Sequence, residues 1–330
     1  MPLCGDAFVL KLQDSLEGMA ALASQSFDLA IADPPYGAST TATWKIDRGH
    51  ALAGMGGAWK LASHCWDQLC NLEGFEGTMA LLAELKRLVK PTGSIWVHAT
   101  YHNAGVVNVA SQILGLEIIN EVIWFKRNAF PNLSARRLTA SHETIFWMHT
   151  GGNHRQYRFN YDQVKAAHFP TDSLKARGKQ LRTVWDIPSN KARDELQFGS
   201  HPTQKPLRLT ERLLLIAGLK GGRLLVPFLG SGTEVIAGLR YGMKCTGFEV
   251  DPNYFELACR RVRHEAAKRR SSPKPAADHS PRAIGTERGC VEDQPQRVGS
   301  SKASGACSVL RLVEDDTAAL RSDSAGRRVG

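Results

Sequence analysis

The chain has 330 residues, 42% of them apolar, which is enough for one large globular domain and a smaller module. No run approaches the roughly 18 consecutive apolar residues of a membrane span, and the opening Met1-Pro2-Leu3-Cys4-Gly5-Asp6 lacks the basic-then-apolar pattern of a secretory leader. The formal charge is +10, and the stretch 121–200 holds 13 of the 42 Lys and Arg against 7 acidic residues, which suits either a polyanionic partner or a lysine-rich solvated surface.

In chain order, Leu3–Asp6 and Phe27–Ala32 read as short buried strands with helical sequence between them. Residues 37–64, with Gly37, Gly49, Gly54, Gly56 and Gly57, read as a flexible loop: a lid over a site, or a plain surface insertion. Glu84–Val89 ends a helix, Pro91-Thr92-Gly93 is a turn, and Ser94–Ala99 and the end of Leu116–Phe125 are strands. The stretch 125–200 is polar, basic and aperiodic. From 201 the alternation resumes with a helix carrying Pro206 in its first turn. A strand at Arg223–Val226, a helix at Thr233–Arg240, a strand at Cys245–Val250 and a helix at Pro252–Ala266 follow. Alternation of this kind predicts an α/β fold with a parallel sheet and crossover helices, interrupted by an inserted module. The predicted segments are 1–124, 125–200, 201–266 and a disordered tail, 267–330, rich in Ser, Pro, Ala and Gly. Seven cysteines in no CxxC or metal-ligand rhythm read as reduced thiols, with no metal site.

Two constellations carry chemistry. Phe228-Leu229-Gly230-Ser231-Gly232-Thr233 lies between a strand and a helix, where glycines expose the amides of a helix N-terminus. Glu249 follows at the end of the next strand, placed to accept from ribose hydroxyls. Val235 stands where a dinucleotide fingerprint has its third glycine, and no lysine follows, which excludes a P-loop. A cofactor loop and a tight structural turn both remain open on these residues alone. The second constellation is Asp33-Pro34-Pro35-Tyr36, at the carboxyl end of an apolar strand, where open α/β sheets bind ligands. An aromatic amine is a poor nucleophile because its lone pair is delocalised. Two acceptors, the Asp33 carboxylate and the Pro34 carbonyl, can hold its two N–H groups and take up developing charge. Tyr36 can stack on the base. A strand-capping turn with Tyr36 as packing is the alternative.

Together these motifs resemble the amino DNA methyltransferases, and their order is that of the circularly permuted β class. The resemblance covers about residues 3–265. It is supported by His201-Pro202-Thr203-Gln204-Lys205-Pro206, by Trp124 with Asn128, Ser134–Arg137 and His142-Glu143, and by Thr183-Val184-Trp185. It implies a Rossmann-like, S-adenosylmethionine-dependent methyltransferase fold with an inserted target-recognition module. By the same resemblance, Asp33, Pro34, Pro35 and Tyr36 hold the target amine and base. Phe228, Gly230, Gly232, Thr233 and Glu249 hold S-adenosylmethionine, with Asp6 near its adenine and Lys205 a lesser candidate for its carboxylate. Lys126, Arg127, Arg136, Arg137, Arg182, Lys191 and Arg193, interleaved with aromatics, are the candidates for DNA. The chain departs from the family at Val226, where Asp is usual, and at Glu234, where Thr is common.

The implied activity is methylation of adenine N6 in double-stranded DNA after base extrusion, in a bacterial or phage-encoded cytoplasmic protein. A homodimer and a cognate restriction endonuclease are compatible partners. Cytosine N4 is the runner-up target. More distant alternatives are RNA or protein-glutamine methylation, and a non-catalytic DNA-binding module with a residual nucleotide pocket.

Overall fold

The computed structural model describes residues 2–36, 43–44, 59–60, 74–131, 136–152 and 156–271. Within them β1 (Leu3–Gly5), β2 (Phe8–Leu12), α1 (Ser15–Ala20) and β3 (Phe27–Ala32) come first. The two-residue strands β4 (Thr43–Trp44) and β5 (Trp59–Lys60) pair antiparallel with each other. Next come α2 (Gly74–Leu88), β6 (Val89–Ala99), α3 (Ala104–Ile113), β7 (Glu117–Phe125), β8 (His142–His149), α4 (Tyr161–Ala166) and β9 (Val184–Asp186). The final set is α5 (Leu207–Ala217), β10 (Arg223–Val226), α6 (Thr233–Tyr241), β11 (Lys244–Glu249) and α7 (Pro252–Ser271).

Nine strands form one sheet in the order β1-β2-β11-β10-β3-β6-β8-β7-β9. The run from β2 through β11, β10 and β3 to β6 is parallel, and antiparallel pairing enters at β1 and at β8. Side chains alternate between the faces. Leu29, Ile31, Trp96, Ile145, Leu224 and Val226 pack beneath α4–α7, whereas Ala30, Ala32, Ile95, Val97 and Leu225 pack beneath α1–α3. Strand order reverses at β3 and β10, whose carboxyl ends lie side by side, and there the sheet opens a crevice.

Several sequence expectations are corrected. β1 is a half-exposed edge strand, and the sequence after it is a second strand, because Phe8–Leu12 finds a parallel partner in β11 more than two hundred positions away. Pro91-Thr92-Gly93 does not end β6. Between the Phe27–Val89 and Leu29–Ser94 pairs the three residues bulge out of register, and the strand continues. The stretch 125–200 is not separate from the sheet, since β8 lies between β6 and β7 and β9 closes the far edge. Its polar ends hide an apolar centre, Ile145 to Met148, buried on both faces. Finally, α7 continues to Ser271, five residues into the segment read as tail. The rest of that segment, and the loop 37–64 apart from β4 and β5, lie outside the described residues.

Candidate active site

Counted with the solvent at its open mouth, the crevice holds about 690 Å³ of empty space. Four segments wall it: the carboxyl end of β2 with Gln13 and Ser15, the residues 33–36 after β3, the 201–205 segment before α5, and the turn from β10 into α6 with Glu249 beside it.

The glycine turn forms because Gly230 and Gly232 take positive φ, +50° and +80°, which L side chains rarely adopt. Gly232 places its Cα so close to α7 that an added Cβ would meet Ala258 and Val262 at 3.3 Å. Glu249 locks the turn. Its Oε2 accepts from Gly230 N at 2.7 Å, and its Oε1 accepts from Val250 N and Asp251 N at 3.0 Å each. Burial nevertheless leaves the Glu249 carboxyl above its ordinary pKa. Phe228, Gly230, Thr233 and Glu249 all line the crevice, and Gly232 sits behind it as the helix cap. The Thr233 hydroxyl is held internally by Ser231 and Arg261, at 3.2 and 3.3 Å.

At the end of β3, Asp33 is held by two donors. The Lys205 ammonium donates to Oδ1 at 2.8 Å and to Oδ2 at 2.7 Å, and the Tyr36 hydroxyl donates to Oδ1. Lys205 also reaches the Tyr36 oxygen at 2.9 Å and stands 5.2 Å above its ring. Burial pushes the Asp33 carboxyl up, but Lys205 and then His98 more than offset it, so it ends below its usual value. Burial works against the Lys205 charge too, and Asp33 and Glu143 reverse that, leaving it above its usual value. The Tyr36 hydroxyl is pushed well up, by burial and then by Asp33. Lys205 is thus a partner of Asp33, and it also lines the crevice.

Sequence reasoning missed the neighbours of this pair. His98, at the end of β6, is fully buried, and burial drives its pKa down to about 4 despite the pull of Asp33. Glu143, on β8, accepts from Lys126 at 3.0 Å and lies 3.6 Å from Lys205. Glu234, in the first turn of α6, is buried and pushed up to about 7, by burial and then by Asp33. The signal for His98 was present: a lone imidazole at the carboxyl end of an apolar strand, next to the one bearing Asp33.

Asp6 is the misplaced expectation. It lies in the β1–β2 turn at the amino end of β2, where its exposed carboxylate pairs with Arg270 at 3.2 Å. The acidic residue at the carboxyl end is Asp14, which caps α1 by accepting from Leu16 N and Glu17 N, and its neighbours Gln13 and Ser15 line the crevice. Among the DNA candidates, Lys126 is committed to Glu143, and Arg127 to Asp186 and the Thr171 carbonyl. Lys191 is half-buried, with its pKa lowered by burial and then by Lys205. Arg136, Arg137, Arg182 and Arg193 are exposed, and Arg137 donates to the Tyr101 hydroxyl at 3.2 Å. Val226 is fully buried core, so the end of β10 carries no carboxylate.

A doubly covered sheet with a glycine turn and a strand-end Asp-Pro-Pro-Tyr opening into one crevice defines a nucleoside-cofactor transferase of the methyltransferase type. The N6/N4 DNA methylase family matches residues 27–260, and the chain belongs to it. It is 31% identical to the Type II methyltransferase M2.DpnII of Streptococcus pneumoniae over 258 residues, 78% of this chain and 90% of that one. It is 32% identical to M2.LlaDCHI of Lactococcus lactis subsp. cremoris over 255 residues, 77% of this chain and 88% of that one. Among solved structures, the fold is similar to the cytosine-N4-specific PvuII DNA methyltransferase at a TM-score of 0.57 and 16% identity, over 78% of this chain and 86% of that one. It is also similar to an M1.HpyAVI–SAM complex at 0.52 and 20%, over 77% and 98%. Enzymes of this family use S-adenosylmethionine as methyl donor.

Proposed function

We propose that this chain methylates the exocyclic N6 of adenine in double-stranded DNA, with the base extruded into the crevice at Asp33. The observation that carries the reading is the shared crevice: the strand-end Asp33-Pro34 acceptors and the Gly230–Glu249 turn open into the same space. The residues suit the cofactor. Phe228 offers an apolar wall, Glu249 a buried carboxylate beside a glycine turn, and Gln13 and Ser15 polar groups at the β2 end. When bound there, S-adenosylmethionine supplies an electrophilic methyl on sulfur.

Everything else falls to the protein. Asp33 and the Pro34 carbonyl accept the two N–H bonds of the target amine, drawing its nitrogen toward a tetrahedral shape. The ionised state of Asp33 is secured by Lys205 and favours the positive charge that develops on that nitrogen. Tyr36 offers its ring to the base. The turn from β3 to residue 36 fixes both acceptors, because two successive prolines restrict the backbone. An aspartate opening the motif favours adenine within the resembling class. The exposed arginines at 136, 137, 182 and 193 are assigned to phosphates or base edges.

The test is sequencing that detects modified bases, on DNA from a methylation-free host expressing this chain or its Asp33→Ala variant. N6-methyladenine at one short motif is expected, with Asp33→Ala reduced by at least about 10²-fold. N4-methylcytosine at that motif would instead move the target to cytosine with the same acceptors. Unmodified DNA despite folded protein would overturn the reading.

A further inference from the structure

Glu143 is only half explained by its visible partners. Its Oε1 takes the Lys126 ammonium, which ties β8 to the end of β7. Its Oε2 is fully buried and has no hydrogen-bond partner among the described residues. A buried ionised oxygen with no hydrogen bond is costly. The Lys205 ammonium stands 3.6 Å from it, just beyond hydrogen-bond reach. Lys205 carries a compact charge on a flexible four-carbon stem, and it is now spent on both oxygens of Asp33. While it stays there, Asp33 is a weakened acceptor for an incoming amine, since its charge is already neutralised at close range.

We propose that Glu143 is a positioning residue that provides a second station for the Lys205 ammonium, so that Lys205 shifts toward Glu143 Oε2 as the target amine takes its place at Asp33. The sheet arranges the two stations. Asp33 follows β3, Glu143 belongs to β8, and β6 lies between them, with His98 paired to Ile145 two residues from Glu143. Burial drives the pKa of the intervening imidazole down to about 4, so near pH 7 it is neutral and offers neither carboxylate a competing charge. Lys126 holds the far oxygen of Glu143 and keeps the near one aimed at Lys205. The shift moves no covalent bond and leaves the total charge of the pocket unchanged.

This inference rests on the amine-methylating reading, and the experiment separates the two. Wild type, Glu143→Gln, Lys205→Gln and the double variant are compared in single-turnover methylation of a duplex bearing the site found by sequencing. Each is also compared in equilibrium binding of that duplex against one whose target base lacks its amino group. Glu143→Gln is expected to slow transfer by about tenfold or more and to lose most of the preference for the amine-bearing duplex, while S-adenosylmethionine affinity stays within about twofold. The double variant is expected to be no slower than Lys205→Gln alone, because Glu143 acts through the lysine. Should Glu143→Gln not fold, Glu143→Asp takes its place in the same cycle, with a smaller defect expected. Defects that multiply in the double variant, or a Glu143 variant with wild-type rate and amine preference, would overturn this inference alone. A wild-type chain that methylates no base would overturn the parent reading and this one with it.

Discussion

Glu234 occupies a place that suits a carboxylate badly. It is buried beside Asp33, and its pKa of about 7 stands above the 4.5 of an exposed glutamate. Below about pH 4.5 the folded and unfolded chains both carry it neutral, and it costs nothing. As pH rises toward and through 7 the unfolded chain is already ionised, so the fold loses stability, by on the order of 3 kcal/mol in full. Glu234→Gln is therefore expected to raise the melting temperature at pH 8 and leave it unchanged at pH 4.5. Equal shifts at both values would show that packing, not charge, decides. Single residues also show where reading a sequence stops. Asp33-Pro34-Pro35-Tyr36 and Phe228–Thr233 were legible because each is a local pattern with its own chemistry. Lys205 was visible but its pairing with Asp33 was not, because the two lie 172 positions apart and only the fold brings them together.

At the scale of elements, α1 owes its position to Gly18. A Cβ there would sit 2.3 Å from the ring of Phe248, which is fully buried and lines the crevice. Gly18→Ala is expected to cost about 1–3 kcal/mol in chemical denaturation and to weaken S-adenosylmethionine binding, since the displaced ring shifts toward the cofactor walls. Unchanged stability would mean that α1 can slide at no cost. The strands were partly legible for a related reason. β3 and β10 are short apolar runs with turn signals at their ends, whereas β2 and β8 depend on partners outside their own segments. Phe8–Leu12 alone fits a helix as well as a strand until β11 pairs with it. The same ambiguity misplaced the strand-end acid, putting Asp6 where the structure has Asp14.

For the whole molecule, the count of 42 Lys and Arg overstates the basic groups available to a polyanion. Lys126, Arg127 and Lys205 are spent on Glu143, Asp186 and Asp33. If the exposed arginines 136, 137, 182 and 193 each neutralise one phosphate, the slope of log binding constant against log salt is expected near about −4. Titrations at several salt concentrations measure it directly. A slope near about −6, one contact for each of the seven sequence candidates, would mean that the internal pairs open on DNA.

The central strand β3 receives one of its two neighbours only when β10 is made, because Leu29 pairs with Leu224 and the contact between Asp28 and Arg223 spans 195 positions. At synthesis rates of about 5–20 residues per second, that edge of the nascent chain stands open for roughly 10–40 s. Over that time Leu29, Ala30 and Ile31 present an apolar strand with unpaired amides and carbonyls. A chain order that splits the crevice between early and late strands thus leaves an apolar strand edge to be shielded until β10 arrives.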